Sequence, residues 1–581
     1  MSLTTAGSRQ VVIGARELDP SGIPQQSWEG QHVAFTHGYG AALAPANELT
    51  SNGRPDFIVG NIPVTARGEV AEVDQPQVYV GEDLDGYAVV GTSREEVDFL
   101  GEDGETQSFR YDGADGVEMG SLFRRAAFAL RFQTPNLVIS DFLSSASRII
   151  FNRDIRERVE ALAPFLRWDD DPYPVVVDGR ILYILDGYTT TNMYPYGQRA
   201  ESDADRSSAL DHDFNYVRNS VKAVIDSYDG SVTMYETEIE DPILDAYRKA
   251  FDELFTDFDE MPDEIKDHLR YPEDLFTIQT NMWTRYHIDG PQDFYEQTGE
   301  WEIAQDPGTA VRTGTDAAAT VTTSPADGGG SGEESTTAQR SDRIDPYYQL
   351  MRLPDEEEED FLILRSFVPV SQDDDRQQLT AFMVAKSDPE DYGELEVFEV
   401  PGTDVDGPAI VDSNIQSTEE IAQRISLLNQ QGSNVTLGNL LLVPIEESIL
   451  YVRPLYVEAE GDTPIPELRN VIVAFGDNIQ MRNTLPEALA ALGPEFSEAA
   501  AQIFEEDQAE LEAVPSEPDP DPAPDGEEPE PAPEDEPTVD EVADLLTRAQ
   551  TAFDEAEQAL ADGDLGTYQD KVREAEDLIT R

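Results

Sequence analysis

The sequence predicts an α+β fold, in which mixed and antiparallel sheets pack with helices and a tethered C-terminal helical hairpin follows. Three observations support this prediction. Runs of β-branched and aromatic residues meet at Asp-Gly pairs, which are strong local signals for a hairpin. Other segments repeat apolar residues at helical spacing. Finally, no apolar run approaches the ~20 residues that span a bilayer, so this chain is not expected to cross a membrane by itself.

The first block, residues 1–304, is predicted to contain three hairpins. Segments 175–177 and 181–185 flank Asp178-Gly179, and segments 217–225 and 231–239 flank Asp229-Gly230. The third hairpin joins segments 77–81 and 87–92 through the loop 83–86. Each Asp-Gly pair supplies residues that tolerate the positive φ of a tight hairpin turn.

Two helices are predicted between these strands. Residues 242–255 begin with Pro242, a residue favoured at the first helical position. The other helix covers residues 119–132. Its apolar residues fall on one face, which we expect to pack on the core, and they are Leu122, Phe123, Ala126, Ala127 and Leu130.

The second block, residues 343–498, is rich in strands. It is separated from the first by residues 305–342, whose Thr, Ala, Ser and Gly content predicts a flexible linker or disordered loop. Strands are expected at 361–368, 379–385, 395–400, 437–444, 449–457 and 470–475, and helices at 415–430 and 484–492. The sequence leaves open whether the two blocks share one core.

The C-terminal part is predicted to be a tether and a small helical module. Residues 499–537 form an acidic, Pro-rich tether, with nine prolines and no basic residue among 515–537. Residues 538–581 follow as a helical hairpin. Its first helix starts with the capping box from Thr538 to Glu541 and breaks at Gly563.

Charge is the strongest bulk property. With 39 basic and 120 acidic residues, the formal net charge is 39 − 120 = −81. Such a field repels nucleic acid, so a nucleic-acid partner is excluded, and it attracts cations and cationic polymers. A salt-adapted source and a specific cation-binding role both explain the acidity. The absence of cysteine excludes thiolate catalysis, zinc ribbons and iron–sulfur clusters.

Two groups of residues are candidate binding sites. His37 and Tyr39 lie among glycines in residues 35–40, where backbone can approach a ligand closely; the alternative explanation is a tight turn in which both side chains fill local hydrogen bonds. Carboxylates that could hold Ca²⁺ are Asp226 with Asp229, and Asp211 with Asp213. Hairpin turn chemistry is the alternative explanation for Asp229, and no cofactor other than Ca²⁺ is indicated.

Familiar catalytic signatures are absent from the sequence. It contains no His-Glu-x-x-His, phosphate-binding glycine loop, dinucleotide glycine motif or Gly-x-Ser-x-Gly elbow. A carboxylate pair for glycoside hydrolysis stays open, because its partners need only meet in space. Aromatic residues beside acids suit a saccharide groove or a core equally, as at Trp168 with residues 169–171 and at Tyr188 with Tyr194 and Tyr196.

Seven runs together resemble the uncharacterised protein family 0182 of bacterial membrane proteins. They are residues 35–40 (FTHGYG), 153–159 (RDIRERV), 171–180 (DPYPVVVDGR), 216–224 (YVRNSVKAV), 268–276 (HLRYPEDLF), 347–354 (YYQLMRLP) and 439–456. The resemblance implies several transmembrane helices followed by a large soluble region, which this chain would represent. It implies no established activity. Residues 1–7 lack the features of a signal peptide, and we interpret them as a start fused to an internal boundary.

The leading functional hypothesis is a non-catalytic binding or scaffold module. It would be the extracytoplasmic domain of a multi-pass protein in the cell membrane of a bacterium. Its expected partners are cations, a cationic or neutral cell-wall polymer, and its own transmembrane half. The alternative hypothesis is an envelope hydrolase that acts on wall glycan or peptide through paired carboxylates, with His37 as a further candidate.

Overall fold

The computed structural model describes residues 10–496 and residue 571. Within that range it leaves out 47–48, 51–52, 68–72, 102–104, 115, 201–209, 211, 310–342, 355, 357–358, 372–376, 401, 403–404, 430–432, 446–447, 460–464 and 495. Contacts divide the chain into two units, Met1–Val514 and Pro515–Arg581. The predicted tether, the predicted helical hairpin apart from residue 571, and most of the predicted linker lie outside the described residues. Within the described part, no helix combines the length and apolarity needed to cross a bilayer.

The first block contains eighteen strands and seven α-helices among its described residues. The strands are β1 (Val11–Ala15), β2 (Gly38–Tyr39), β3 (Ala41–Pro45), β4 (Val59–Gly60), β5 (Thr65–Ala66), β6 (Gln77–Val78), β7 (Tyr87–Val90), β8 (Glu96–Leu100), β9 (Thr106–Phe109), β10 (Val117–Glu118), β11 (Arg148–Phe151), β12 (Arg167–Trp168), β13 (Tyr173–Val177), β14 (Arg180–Thr191), β15 (Tyr216–Asp226), β16 (Val232–Glu236), β17 (Phe255–Thr256) and β18 (Trp301–Ile303). The helices are α1 (Leu122–Arg131), α2 (Asn136–Ile139), α3 (Ile155–Leu162), α4 (Pro242–Ala250), α5 (Asp263–Lys266), α6 (Glu273–Tyr286) and α7 (Pro291–Glu296), with a π-helical turn at Gly30–Ala34 and a 3₁₀ turn at Phe258–Glu260.

The second block continues with strands and three helices in its described part. The strands are β19 (Tyr347–Met351), β20 (Asp360–Pro369), β21 (Ala381–Lys386), β22 (Leu395–Glu399), β23 (Ser433–Leu437), β24 (Leu441–Ile445), β25 (Ser448–Ala459), β26 (Glu467–Phe475) and β27 (Asn478–Arg482). The helices are α8 (Pro408–Ser417), α9 (Glu419–Leu428) and α10 (Leu485–Leu492).

Three larger sheets organise these elements, and they confirm the predicted α+β class. The first has the order β12-β14-β15-β16-β17 with β13 also on β14, and it is mixed because only β16 and β17 run parallel. The second, β18-β20-β21-β22 with β19 on β20, is antiparallel, as is the third, β23-β25-β26-β27 with β24 on β25. Smaller sheets are β1-β3-β4-β5, β10-β11-β7, β2-β6 and β8-β9.

The two sequence blocks share a hydrophobic core. One cluster joins Tyr188 on β14 and Phe276 on α6 to Ile363 and Phe367 on β20, and all four side chains are buried. Helix α6 therefore packs between the mixed sheet and the second sheet. This packing answers the question that the sequence left open, and it places the start of α6 where the two sheets meet.

Two of the three predicted hairpins are confirmed. At Asp178-Gly179 both residues have positive φ (49° and 74°), and Val177 pairs with Arg180. Strands β15 and β16 likewise close at Asp229-Gly230. The third prediction is wrong, because β6 pairs with β2 and β7 pairs with β11. The loop between them is held elsewhere: the Glu17 carboxylate accepts the amides of Glu82 and Asp83 at 2.6 and 2.8 Å.

Helix α1 forms where predicted but faces the opposite way. Ser121 caps its start by accepting the amide of Arg124 at 3.1 Å. The residues predicted to pack on the core are exposed. Phe128 and Phe132 instead pack against a buried cluster that contains Tyr87, Val89 and Leu137. The predicted apolar face is therefore a surface, because the helix has apolar residues on both sides and only one side meets the sheet.

Candidate functional site

His37 and Tyr39, the first predicted pair, both lie near Asp98, which is 3.9 Å from His37 Nε2 and, after burial, contributes to the raised pKa of Tyr39. His37 is buried against Tyr79 and Phe109, its Nδ1 lies 2.9 Å from the Gly38 carbonyl oxygen, and burial lowers its pKa to about 4. Tyr39 packs against the Phe99 ring, and partial burial raises the pKa of Tyr39. Neither residue lines the cavity described below.

Three of the predicted calcium ligands, Asp226, Asp229 and Asp213, pair with arginines in the described structure. Asp226 and Asp229 both bind Arg180, at 2.5 and 3.2 Å, and Asp226 also accepts the amides of Tyr228 and Asp229. This is the hydrogen bonding of a turn, which satisfies these carboxylates without a metal. Asp213 pairs with Arg199 at 3.0 Å, and Asp211 lies outside the described residues.

Calcium binding at these residues stays a prediction. In the described part of the chain, no three His, Asp or Glu residues are grouped so that they could hold a metal ion.

A different polar group lies buried on the mixed sheet, between β14 and β15. Lys222 is opposite Asp186 in the register, and its Nζ lies 2.6 Å from the Asp186 Oδ1. Lys222 Nζ also donates to the Arg270 carbonyl oxygen at 2.8 Å and lies 5.0 Å from the centre of the Tyr392 ring. Burial lowers the pKa of Lys222, and the Asp186 carboxylate opposes that effect. Asn219 donates to the same carboxylate at 2.8 Å.

Asp169 extends this group toward the end of β14. The Tyr188 hydroxyl donates to Asp169, and the register of β14 shifts between Gly187 and Tyr188. Gly187 permits the arrangement, because a Cβ there would lie 2.8 Å from the Trp168 ring. Burial raises the pKa of Asp169 well above its usual range, and neighbouring Asp274 and Asp186 raise it further. Asp169 therefore ionises less readily than an ordinary carboxyl.

We name this group the acid–lysine cluster and define it by its members. They are Asp169, Asp171, Asp186, Lys222 and Asp274. Carboxyl groups outnumber the single ammonium in it. The pKa of Asp171 is raised by burial and by Asp186, although Arg270 lowers it.

Arg270 borders the cluster and has a rigid backbone. The Arg270 amide donates to the Tyr173 hydroxyl at 3.1 Å, and its carbonyl accepts the Tyr392 hydroxyl at 3.0 Å besides Lys222. The guanidinium carbon lies 4.4 and 5.4 Å from the ring centres of Tyr173 and Tyr348. Within the described structure, the buried Nε of Arg270 has no hydrogen-bond acceptor.

A cavity of about 450 Å³ opens beside Arg270. Its walls come from β1, β3, β13, β19, β20 and the segment before α6. It is lined by Gln10, Val11, Val12, Ile13, Leu43, Pro174, Val175, Val176, His268, Arg270, Glu273, Pro346, Tyr347, Tyr348 and Phe361. We call it the Arg270 cavity. Its walls are mostly apolar and aromatic and carry a few polar groups, which is the composition of small-molecule sites.

Two titratable side chains of the cavity have shifted pKa values. Glu273, in the first turn of α6, has its pKa raised to about 7 by burial and then by Asp171, Asp345 and Asp274. Burial lowers the pKa of His268 to about 4, so this imidazole is neutral at pH 7. The buried Nδ1 of His268 has no hydrogen-bond partner in the part of the chain that is described. A cavity that holds shifted carboxyl and imidazole groups is a candidate functional site.

The sequence analysis did not single out these residues as a site. Lys222, Arg270 and Glu273 lie in runs quoted above only for their family resemblance. One signal was available, since Lys222 is one of five lysines and stands within an apolar strand. A lysine there is buried only when paired. The proposed saccharide groove did not form as such: Trp168 and Tyr188 are buried, while Tyr194 and Tyr196 are exposed.

Comparison with known proteins identifies relatives across the chain. The model described as "Uncharacterised protein family (UPF0182)" matches residues 3–428. A UPF0182 protein of Streptomyces coelicolor is 36% identical over 588 residues, covering 99% of this chain and 53% of the relative. One from Cupriavidus necator is 39% identical over 499 residues, covering 85% and 50%. One from Methanospirillum hungatei is 34% identical over 575 residues, covering 98% and 56%.

The chain thus spans about half the length of the curated relatives it matches. No solved structure matches it significantly.

Proposed function

The chain belongs to the uncharacterised protein family UPF0182, and from that membership we propose that it is the extracytoplasmic binding domain of a multi-pass bacterial membrane protein whose Arg270 cavity holds a small amine-bearing ligand. The ligand would be a free amine or an amino group on a cell-wall polymer. The observation that carries this proposal is the position of Glu273 in the cavity wall, with a pKa raised to about 7.

The raised pKa shows that the ionised form of Glu273 is disfavoured in the folded protein, although Arg365 partly opposes this effect. Burial is the largest cause, followed by Asp171, Asp345 and Asp274. Ionising Glu273 therefore adds a charge to a region already rich in carboxyl groups. An ammonium group bound at Glu273 would offset that charge and form a charge-assisted hydrogen bond. Aromatic side chains lining the cavity, such as Tyr348, add favourable surface for a cation.

The cavity dimensions agree with such a ligand. A volume of about 450 Å³ lies within the range of small-molecule sites, roughly 300–1,000 Å³. The apolar walls suit the carbon skeleton of an amine, while Gln10 and Arg270 offer donors for its polar substituents. The fixed backbone of Arg270 keeps the site in one geometry before a ligand arrives.

Calorimetric titration tests the ligand class. The probes are Nα-acetyl-lysine amide and its Nε-acetylated counterpart, which has almost the same body without the charge. We expect the charged probe to bind at pH 8 and the acetylated probe to bind at least tenfold more weakly, since a hydrogen bond to a charged group contributes about 1.5–3 kcal/mol. Glu273→Gln should remove this preference, and Glu264→Gln, an exposed glutamate nearby, should keep it. Equal affinity for both probes, or no effect of Glu273→Gln, would contradict the proposal.

The location is tested separately in the full-length protein. Because this chain has no cysteine, a single Met193→Cys substitution at an exposed position provides a labelling site. We expect a membrane-impermeant maleimide to label it in intact cells. The unsubstituted protein is the control, and labelling only after the cells are opened would place the domain in the cytoplasm.

Hydrolysis is the second candidate function, and one observation favours it. A carboxyl with a pKa near 7 is suited to donate a proton to a leaving group, and Asp171 lies close enough to Glu273 to raise its pKa. Paired carboxyl groups are the arrangement that glycoside hydrolysis requires. Incubation with cell-wall glycan or peptide tests this function. Product release that is lost in both Glu273→Gln and Asp171→Asn would support it, and no product from the unsubstituted chain would exclude it for those substrates.

A further inference from the structure

Helix α1 presents an unpartnered apolar surface. Its most exposed large side chains are Leu122, Phe123 and Leu130, at 68%, 84% and 82% exposure, and Ala126 and Ala127 between them are also exposed. At 100° per residue these five positions cover an arc of about 140°. They therefore form one continuous stripe along the helix, and Ile139 on α2 adds to the exposed apolar area.

The same segment reverses the charge of the chain. Residues 119–140 contain three arginines and no acidic residue. In the whole sequence, 120 of 581 residues are acidic. A stretch of this length would be expected to hold four or five carboxylates. Arg124 and Arg131 are exposed, and Glu118 approaches Arg124 at 3.8 Å as a partial counter-charge. Glu118 and Asp141 stand directly outside this stretch, so the basic character is confined to residues 119–140.

The α1 surface is held firmly enough to bind as a unit. Phe128 and Phe132 anchor the helix in the buried cluster that contains Tyr87 and Val89. Arg125 donates to the carbonyl oxygens of Met119 and Ser144 at 2.8 and 2.9 Å. The helix is therefore fixed to the sheet by its inner side, and the outer stripe is free of partners in the described structure.

From these contacts we infer that the α1 surface, formed by Leu122, Phe123, Ala126, Ala127, Leu130 and Ile139, rests on an anionic lipid bilayer. A helix with an apolar stripe flanked by arginines lies in the membrane interface, where the apolar side chains enter the acyl boundary and the cations meet lipid phosphates. Charge complementarity selects this occupant. Residues 119–140 hold three arginines and no acidic residue, so this segment matches lipid phosphates in charge. The inference does not depend on the Arg270 cavity.

The strongly acidic remainder gives this attachment an unusual dependence on salt. At 10 mM salt the Debye length is about 30 Å, so the whole negative chain is repelled by anionic lipid. At 150 mM it is about 8 Å, and the local arginines and apolar stripe dominate. Binding is therefore expected to strengthen between these two salt concentrations, whereas an ordinary basic patch binds more weakly as salt rises.

Vesicle flotation tests the inference with the full chain. The probes are vesicles of phosphatidylglycerol and phosphatidylcholine, compared with phosphatidylcholine alone. At 150 mM salt we expect flotation with the anionic vesicles only. The double variant Phe123→Ser/Leu130→Ser should reduce binding at least tenfold, and Arg124→Gln/Arg131→Gln should remove the preference for anionic lipid.

Matched controls exclude indirect effects. Leu162→Ser/Tyr295→Ser changes exposed apolar side chains elsewhere and should bind vesicles as the unsubstituted chain does. Equal thermal unfolding temperatures would show that all variants are folded. Absence of flotation at every salt concentration, or equal binding by Phe123→Ser/Leu130→Ser, would overturn the inference. So would a dimer in size-exclusion chromatography that this double variant dissociates, because the surface would then contact a second copy.

Discussion

The Asp186–Lys222 pair gives the strongest prediction about the architecture of the site. Lys222 is fully buried and Asp186 nearly so, and they lie 2.6 Å apart. Lys222→Met keeps a similar volume and removes the charge, which leaves Asp186 buried with the Asn219 amide but without its cation. Breaking a buried pair in this way costs about 3–5 kcal/mol of unfolding free energy.

The double substitution distinguishes pairing from general disruption. Asp186→Asn should also destabilise the fold, because it leaves an uncompensated ammonium. In Asp186→Asn/Lys222→Met neither charge is left alone, so the loss should be smaller than the sum of the single losses by about 2 kcal/mol or more. Urea unfolding followed by tryptophan fluorescence measures all four proteins. The control is Lys249→Met on the exposed side of α4, which should change stability by less than about 0.5 kcal/mol.

A destabilisation of Lys222→Met below about 1 kcal/mol, or strictly additive losses in the double variant, would refute the account of this pair.

Two further predictions concern packing and titration. Gly187→Ala should lower the free energy of unfolding by about 1–3 kcal/mol, because the added Cβ would lie 2.8 Å from the buried Trp168 ring. Gly14→Ala is the control and should lower it less, since a Cβ there meets nothing within 4 Å. Similar urea midpoints for the two variants would contradict this prediction. Burial lowers the pKa of His37 to about 4, so the unfolded chain binds its proton first and stability falls as the pH drops from about 6.5 to about 4. Since one pKa unit corresponds to about 1.4 kcal/mol, the loss of stability should be about 3 kcal/mol. His37→Gln should flatten this part of the curve, and an unchanged slope would show that His37 is not responsible.

The sequence predicted structure best where the cause is local. Asp178-Gly179 supplies the two positive φ values that its hairpin requires, and the strands beside it follow. The loop at residues 83–86 carries the same kind of signal but closes no hairpin, because Glu17, distant in sequence, accepts its backbone amides. Local turn chemistry cannot report such a partner.

Helix α1 shows a second limit of sequence patterns. The spacing of apolar residues predicted the start of the helix to within three residues. It did not predict which side of the helix packs on the core, because apolar residues occupy both sides. Periodicity measures an apolar face and does not identify what covers it. The exposed stripe became visible only when the contacts of Phe128 and Phe132 were known.

The candidate site depends on tertiary packing and was not predictable from motifs. Asp186 and Lys222 are 36 positions apart and meet through strand register, while Arg270 and Glu273 arrive with α6, a helix the sequence analysis did not predict. The quoted runs at 171–180, 216–224, 268–276 and 347–354 contributed residues to this one region. In the sequence these four runs are far apart, and no sequence pattern links them. The predicted calcium residues, by contrast, were neighbours in sequence, and Asp226, Asp229 and Asp213 pair with arginines.

The affinity of the Arg270 cavity for Nα-acetyl-lysine amide, measured by calorimetry from pH 5 to pH 8, tests the central proposal most directly. Glu273 must be ionised to hold the ammonium, and its pKa is about 7. Below pH 7 each unit of acidification should weaken binding about tenfold, and above pH 7 the affinity should level off. Glu273→Gln should bind weakly with a flat profile. An unsubstituted chain that binds equally tightly at pH 5 and pH 8, or binds the Nε-acetylated probe equally well, would contradict the account.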